Sequence, residues 1–126
     1  MIAYLDTHAF VRLALGRSRL IGREASRLIQ RAELLISPMV LVELEYLYEI
    51  GRLKVRSRDL HAKAAQELGL KLCEIPFAAV ANAAIDETWT RDVFDRIVVA
   101  NARVNGVAPL ISADETIRKH YPRAVW

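Results

Sequence analysis

Residues 1–16 read MIAYLDTHAFVRLALG. An apolar run over residues 2–5 stops at a carboxylate, Asp6, and a segment follows at once in which Phe10, Val11 and Leu15 fall on one helical face before Gly16 ends it. The simplest description is a short buried strand that delivers an acid to its carboxyl end and then turns into a helix. The rest of the chain repeats that alternation. Its spacing predicts helices over 20–32 (Leu20, Ala25, Leu28 and Ile29 inward), over 38–50 after the Ser37-Pro38 start, and over 57–68, capped by Ser57 and closed by Gly69. Further helices are expected over 77–87 and 92–104, with a short one from about Glu115; strands are expected over 34–36, 72–75 and 108–112. Residues 123–126 form a tail. Strands alternating with helices predict an α/β domain whose parallel sheet is covered on both faces. Ligands of such sheets bind beyond the carboxyl ends of the strands, which places Asp6 and Asp114 on one rim.

The chain has 126 residues, 53% apolar and 26% charged. That length fits a single domain over 1–126, able to bury roughly two thirds of its unfolded surface without disulfides or a structural metal. One cysteine, Cys73, excludes an internal disulfide framework and a four-cysteine zinc site. No apolar run reaches the ~18 residues of a membrane span, and the amino end lacks the pattern of a secretory signal, so a cytoplasmic location away from membranes is expected. The net charge of +3 hides an asymmetry. Residues 12–31 hold Arg12, Arg17, Arg19, Arg23, Arg27 and Arg31 against Glu24 alone, and residues 52–63 hold five basic groups, Arg56 and Arg58 among them, against Asp59. The remainder is therefore acidic.

Several of its acids sit where acids do not belong. Glu43 has Met39, Val40, Tyr46 and Leu47 as its neighbours three and four residues away, so it is buried or lines a cavity, and needs a cation, a hydrogen-bond network or a metal. An ion pair with an arginine is the structural alternative. Glu45 and Glu49 lie off that face and are expected in solvent. Asp92 suits a helix cap, whereas Asp95 shares its face with Val98 and Val99, and Asn101 is another polar group among apolar neighbours. Asp6 and Asp114 follow strands, and each alone could be a turn or cap. If these carboxylates converge they repel, and a divalent cation removes the conflict; oxygen donors suit Mg²⁺ or Mn²⁺, and His8, His61 and His120 make no zinc spacing. Such a cation beside positive surface is phosphodiester chemistry.

The segments YLDTHAFVRL, SPMVLVELEYL, RDVFDRIVVANA and VAPLISADE, in this order and spacing, resemble the PIN domains, specifically the VapC-type toxin ribonucleases of toxin–antitoxin pairs. The resemblance implies a PIN-like three-layer α/β/α sandwich with a short central parallel sheet. It also implies a Mg²⁺- or Mn²⁺-dependent endoribonuclease with the quartet Asp6, Glu43, Asp95 and Asp114 at the metal, leaving a 5′-phosphate and a 3′-hydroxyl. Thr7 and Ser112 fall where small hydroxyl residues support the metal shell. Asp92 opens a motif that often reads Asp-Pro-Phe-Asp-Arg; here Val93 replaces the proline and Thr90 stands where a histidine is frequent. The RNA substrate would meet Arg12, Arg17, Arg19, Arg56 and Arg58. A cognate antitoxin, seated on apolar residues of helices 7–15 and 38–50, and a homodimer are further implications of the family. The alternative is a PIN-like module that binds RNA or protein without cutting. A receiver domain lacks support, having neither paired acids after the first strand nor a lysine after the last, and Asp6-Thr7-His8 contradicts an Asp-x-Asp phosphatase.

Overall fold

The computed structural model describes all residues, 1–126. The chain runs β1 (Ile2–Leu5), α1 (Thr7–Ala14), α2 (Arg23–Ile29), β2 (Glu33–Ile36), α3 (Pro38–Glu49) and α4 (Ser57–Leu68). It continues through β3 (Lys71–Leu72), α5 (Phe77–Ala84), α6 (Val93–Val104), β4 (Leu110–Ile111), α7 (Glu115–His120) and β5 (Ala124–Val125). The strands form one sheet in the order β3-β2-β1-β4-β5, every neighbouring pair parallel. Tyr4 stands opposite Leu35 on one side and Leu110 on the other, so β1 is central. Parallel pairs require crossovers, and right-handed crossovers put α1–α4, which serve the steps toward β3, on one face and α5–α7, which serve the return, on the other. Within each group α1 meets α3 and α4, and α5 meets α6; α3 and α6 also touch, where Tyr46 lies against Phe94. The expected α/β sandwich with a short parallel sheet is the observed architecture.

Covering both faces explains why β1 is apolar throughout rather than alternating. Tyr4, Leu5, Phe10, Ile36, Leu44, Leu110 and Ile111 are buried in one continuous core, each stabilising the fold by about 1.5–3 kcal/mol relative to exposure. Helix ends follow local chemistry. Ser37 Oγ accepts from the Met39 amide at 3.2 Å ahead of Pro38, and Gly69 closes α4 at φ 64°, a left-handed conformation that costs glycine nothing.

The chain departs from its predicted elements in four places. The expected helix over 20–32 is broken: a 3₁₀ turn covers Ser18–Leu20, Ile21 is extended, and α2 starts only at Arg23, which leaves Leu20 50% exposed rather than inward. Arg56, not Ser57, caps α4, because the Ser57 hydroxyl is used to donate to the Leu41 carbonyl at 2.7 Å. β3 and β4 are two residues each, and β3 begins and ends earlier than 72–75. The tail carries an edge strand, β5, whose position depends on Gly22: a Cβ there would lie 2.5 Å from the backbone carbonyl carbon of Trp126. The Arg12 guanidinium lies over the Trp126 ring, 5.3 Å from its centre. No helix is long and apolar enough to cross a membrane.

Candidate functional site

The order of the sheet reverses around β1, from which the chain steps to β2 on one side while β4 returns on the other; beyond such a reversal, at the strands' carboxyl ends, a crevice forms. Asp6 and Ser112 directly follow β1 and β4 and meet there. Asp6, only 6% exposed, caps α1: Oδ1 accepts from the Ala9 amide at 2.8 Å, and the other oxygen accepts from the Ser112 hydroxyl. The same hydroxyl oxygen accepts from the Asp114 amide at 3.1 Å, and Asp114 caps α7 by accepting from the Ile117 amide at 2.9 Å. Asp92 caps α6, accepting at 3.0 Å from the amide of Asp95 in the first turn. Glu43, half-buried on α3, accepts from the Thr7 hydroxyl at 2.5 Å. Three helix N-termini are thus capped by acids of one cluster, each favouring negative charge at its own end.

Three of these carboxyls, Asp6, Glu43 and Asp95, are raised by burial and by neighbouring charges. Burial raises the Asp6 carboxyl; Ser112, the Ala9 amide and His8 oppose the rise, and Asp114 adds to it. Burial also raises Glu43, against Thr7 and His8 and with Asp92 and Asp6. Asp95 is pushed up to about 7, by burial first and then by the charges of Asp92, Asp114, Glu43 and Asp6. None of these five acids belongs to any of the four ion pairs of the molecule. The structural alternative for Glu43, an arginine partner, is therefore absent. As the side chains stand, no three His, Cys, Asp or Glu groups are placed to hold a metal ion. The donor chemistry nevertheless fits a hard dication, since the set is all oxygen, of like charge and outside every ion pair.

The raised carboxyls bear on stability. Between its ordinary value of 3.8 and about 7, folded Asp95 binds a proton that the unfolded chain has released, so stability declines as pH rises through this window. Asp6 and Glu43, also raised, act in the same direction. Thermal denaturation in EDTA is expected to give a higher melting temperature near pH 5.5, roughly mid-window, than near pH 8, above it. A flat or opposite profile would show that these carboxyls are not raised in the folded chain.

Other residues are placed differently from expectation. Glu45 is not free in solvent: it accepts from Arg56 and, at 3.2 Å, from the Ser57 amide, tying α3 to the start of α4, and Arg56 holds its carboxyl below the usual range. Arg56 also lies over the Tyr48 ring, and its side chain stays 59% exposed while paired with Glu45. Arg12 is held against Trp126, while Arg17, Arg19 and Arg58 are exposed. Asn101 does not join the acids; its side-chain amide donates to Cys73 Sγ at 3.1 Å, beside the Tyr4 hydroxyl at 3.0 Å. Glu49 is exposed as expected. Sequence reasoning missed Glu87, a buried carboxylate that accepts from Trp89 Nε1 at 2.6 Å and Arg103 Nε at 2.5 Å, fastening the loop before Asp92 to α6. The only signal was an acid two residues before a tryptophan. It also missed that His8 faces Asp6 and Glu43 closely enough to favour their ionised forms. A concavity of about 800 Å³ between α3 and α4, walled by Tyr46 and Phe94, includes none of the five acids.

A model of the PIN domain matches residues 3–121. Among curated proteins none matches the chain. The solved structure of VapBC2 from Rickettsia felis bound to a DNA fragment from their promoter is similar, with a TM-score of 0.65 at 16% identity, covering 99% of this chain and 96% of that one. A toxin–antitoxin complex from Klebsiella pneumoniae gives 0.64 at 17% identity, covering 98% and 96%. At these identities the likeness is one of fold.

Proposed function

The chain belongs to the PIN-domain family, and from that premise we propose that it is a metal-dependent endoribonuclease, the toxin of a toxin–antitoxin pair, hydrolysing RNA phosphodiester bonds at the carboxylate rim. The observation that carries this reading is the gathering of Asp6, Glu43 and Asp95, whose carboxyls are raised by burial and by neighbouring acids, on one rim outside every ion pair. Asp6, Asp95 and Asp114 would hold Mg²⁺ or Mn²⁺, with Glu43 as a further ligand or as the group that orients the attacking water. A bound dication would supply an activated water and neutralise charge on the phosphoryl oxygens. Thr7 and Ser112 act through their hydroxyls, fixing the Glu43 and Asp6 oxygens that they donate to. Burial raises the Glu43 carboxyl, the direction that strengthens it as a proton acceptor. Asp92 sets the start of α6 and thereby where Asp95 stands. The exposed Arg17, Arg19 and Arg58 would neutralise substrate phosphates, and the products would carry a 5′-phosphate and a 3′-hydroxyl.

The antitoxin partner is part of the same proposal, supported by the toxin–antitoxin complexes that share the fold. Val42 and Tyr46 on α3 are 57% and 48% exposed and offer such a partner, or a second copy, an apolar face. By contrast Val11, Leu13 and Leu15, in and just after α1, pack against the core. Incubation of the protein with single-stranded RNA is expected to give cleavage with Mg²⁺ or Mn²⁺ and none in EDTA. Undiminished cleavage in EDTA would remove the metal from the mechanism. No cleavage with either ion would favour a module that binds without cutting.

A further inference from the structure

The opposite end of the sheet carries a second, positive concentration of charge. Met1, Pro109 and Arg123 immediately precede β1, β4 and β5, so they mark the amino-terminal rim. Along β1 that rim is roughly 16 Å from Asp6 at the rise of a parallel strand. A cavity of about 540 Å³ opens there beside the end of α2, lined by Arg27, Arg31 and Arg123 with one carboxylate, Glu24. None of the three guanidinium groups is ion-paired, with Glu24 or with any other acid. Arg27, in the last turn of α2, and Arg31, just beyond its end, are both exposed and line this cavity. Arg123 is oriented by the fold, donating from one terminal nitrogen to the Val107 carbonyl at 3.1 Å. Val107 presents that carbonyl from φ 53°, a left-handed conformation that a β-branched residue rarely takes.

Three unpaired guanidinium groups around one concavity repel each other until an anion with several charges enters, and their planar forks match phosphate. No aromatic side chain lines the cavity, so it offers phosphate contacts without stacking on bases. We infer that this rim is a second nucleic-acid site, which holds the phosphodiester backbone of a strand through Arg27, Arg31 and Arg123. It does not depend on the cleavage chemistry proposed for the other rim.

The test is fluorescence anisotropy in EDTA with a short labelled oligouridylate and the matching oligothymidylate, comparing the full chain with an Arg27→Ala/Arg31→Ala variant. Both polymers are expected to lose affinity about tenfold at low salt, and the slope of log affinity against log salt to fall by about 1.4, the share of two phosphate contacts on a single strand. An Arg52→Ala/Lys54→Ala variant removes the same charge from exposed positions beyond α3 and is expected to change binding far less. Equal losses in both variants, a loss with only one polymer, or displacement by polyglutamate as efficient as by unlabelled oligonucleotide would overturn the proposal. Because binding is read without metal, its failure is distinct from a failure to cleave.

Discussion

Asp6→Asn is expected to lower RNA cleavage in Mn²⁺ by at least about a thousandfold, on the order of 4 kcal/mol in the barrier, while the protein melts at a higher temperature in EDTA at neutral pH. The two effects have one origin. Asp6 is buried, its carboxyl is raised, and its charge is repelled by Asp114, so the ionised form is a burden to the folded chain. Asparagine keeps an oxygen for the Ala9 amide and an amide group for the Ser112 oxygen, but it cannot supply the negative charge that a dication requires. Cleavage and circular dichroism melting, measured on the same sample, decide the matter. Wild-type cleavage would end the assignment of Asp6. A lost activity accompanied by a lower melting temperature would make it a structural cap instead.

Glu87→Ala is expected to destabilise the protein by about 2–3 kcal/mol, because it leaves a partly buried indole N–H and a partly buried guanidinium without their acceptor. The side chain of Glu87 is 4% exposed and that of Arg103 37%, which places the expected loss below that of a fully buried pair. Arg103 also lies over the Tyr121 ring, and Trp89 stacks on His120 at 5.2 Å, so the same contacts hold α7 against the loop before Asp92. Urea denaturation measures the loss. A change under about 0.5 kcal/mol, the range of an ordinary surface substitution, would show that the network carries no weight.

Much of this was legible in the sequence because the decisive signals are local. A run of apolar residues ending in Asp6, and serine followed by proline at 37–38, each fix an element boundary by chemistry within a few residues. Glu43 was singled out by helical spacing, and it does lie half-buried away from any arginine. What could not be read is contact between distant segments. Thr7 meets Glu43 across 36 residues and Arg103 meets Glu87 across 16, and no periodicity encodes either. Glu45 looked solvated because its helical neighbours said nothing of Arg56, which reaches it from the next helix. β5 escaped because two residues carry no alternation, and its place is decided by the bare backbone of Gly22 beneath Trp126.

Three of the five rim acids are also helix caps, each engaging one backbone amide: Ala9, Asp95 and Ile117. Folding and ion capture therefore draw on the same oxygens, and those amides act as built-in gauges. In an ¹H–¹⁵N spectrum their three peaks report, one helix at a time, whether a carboxylate stays on its cap or turns away from it. Occupancy of the rim can then be followed without a substrate, a label or an added chromophore.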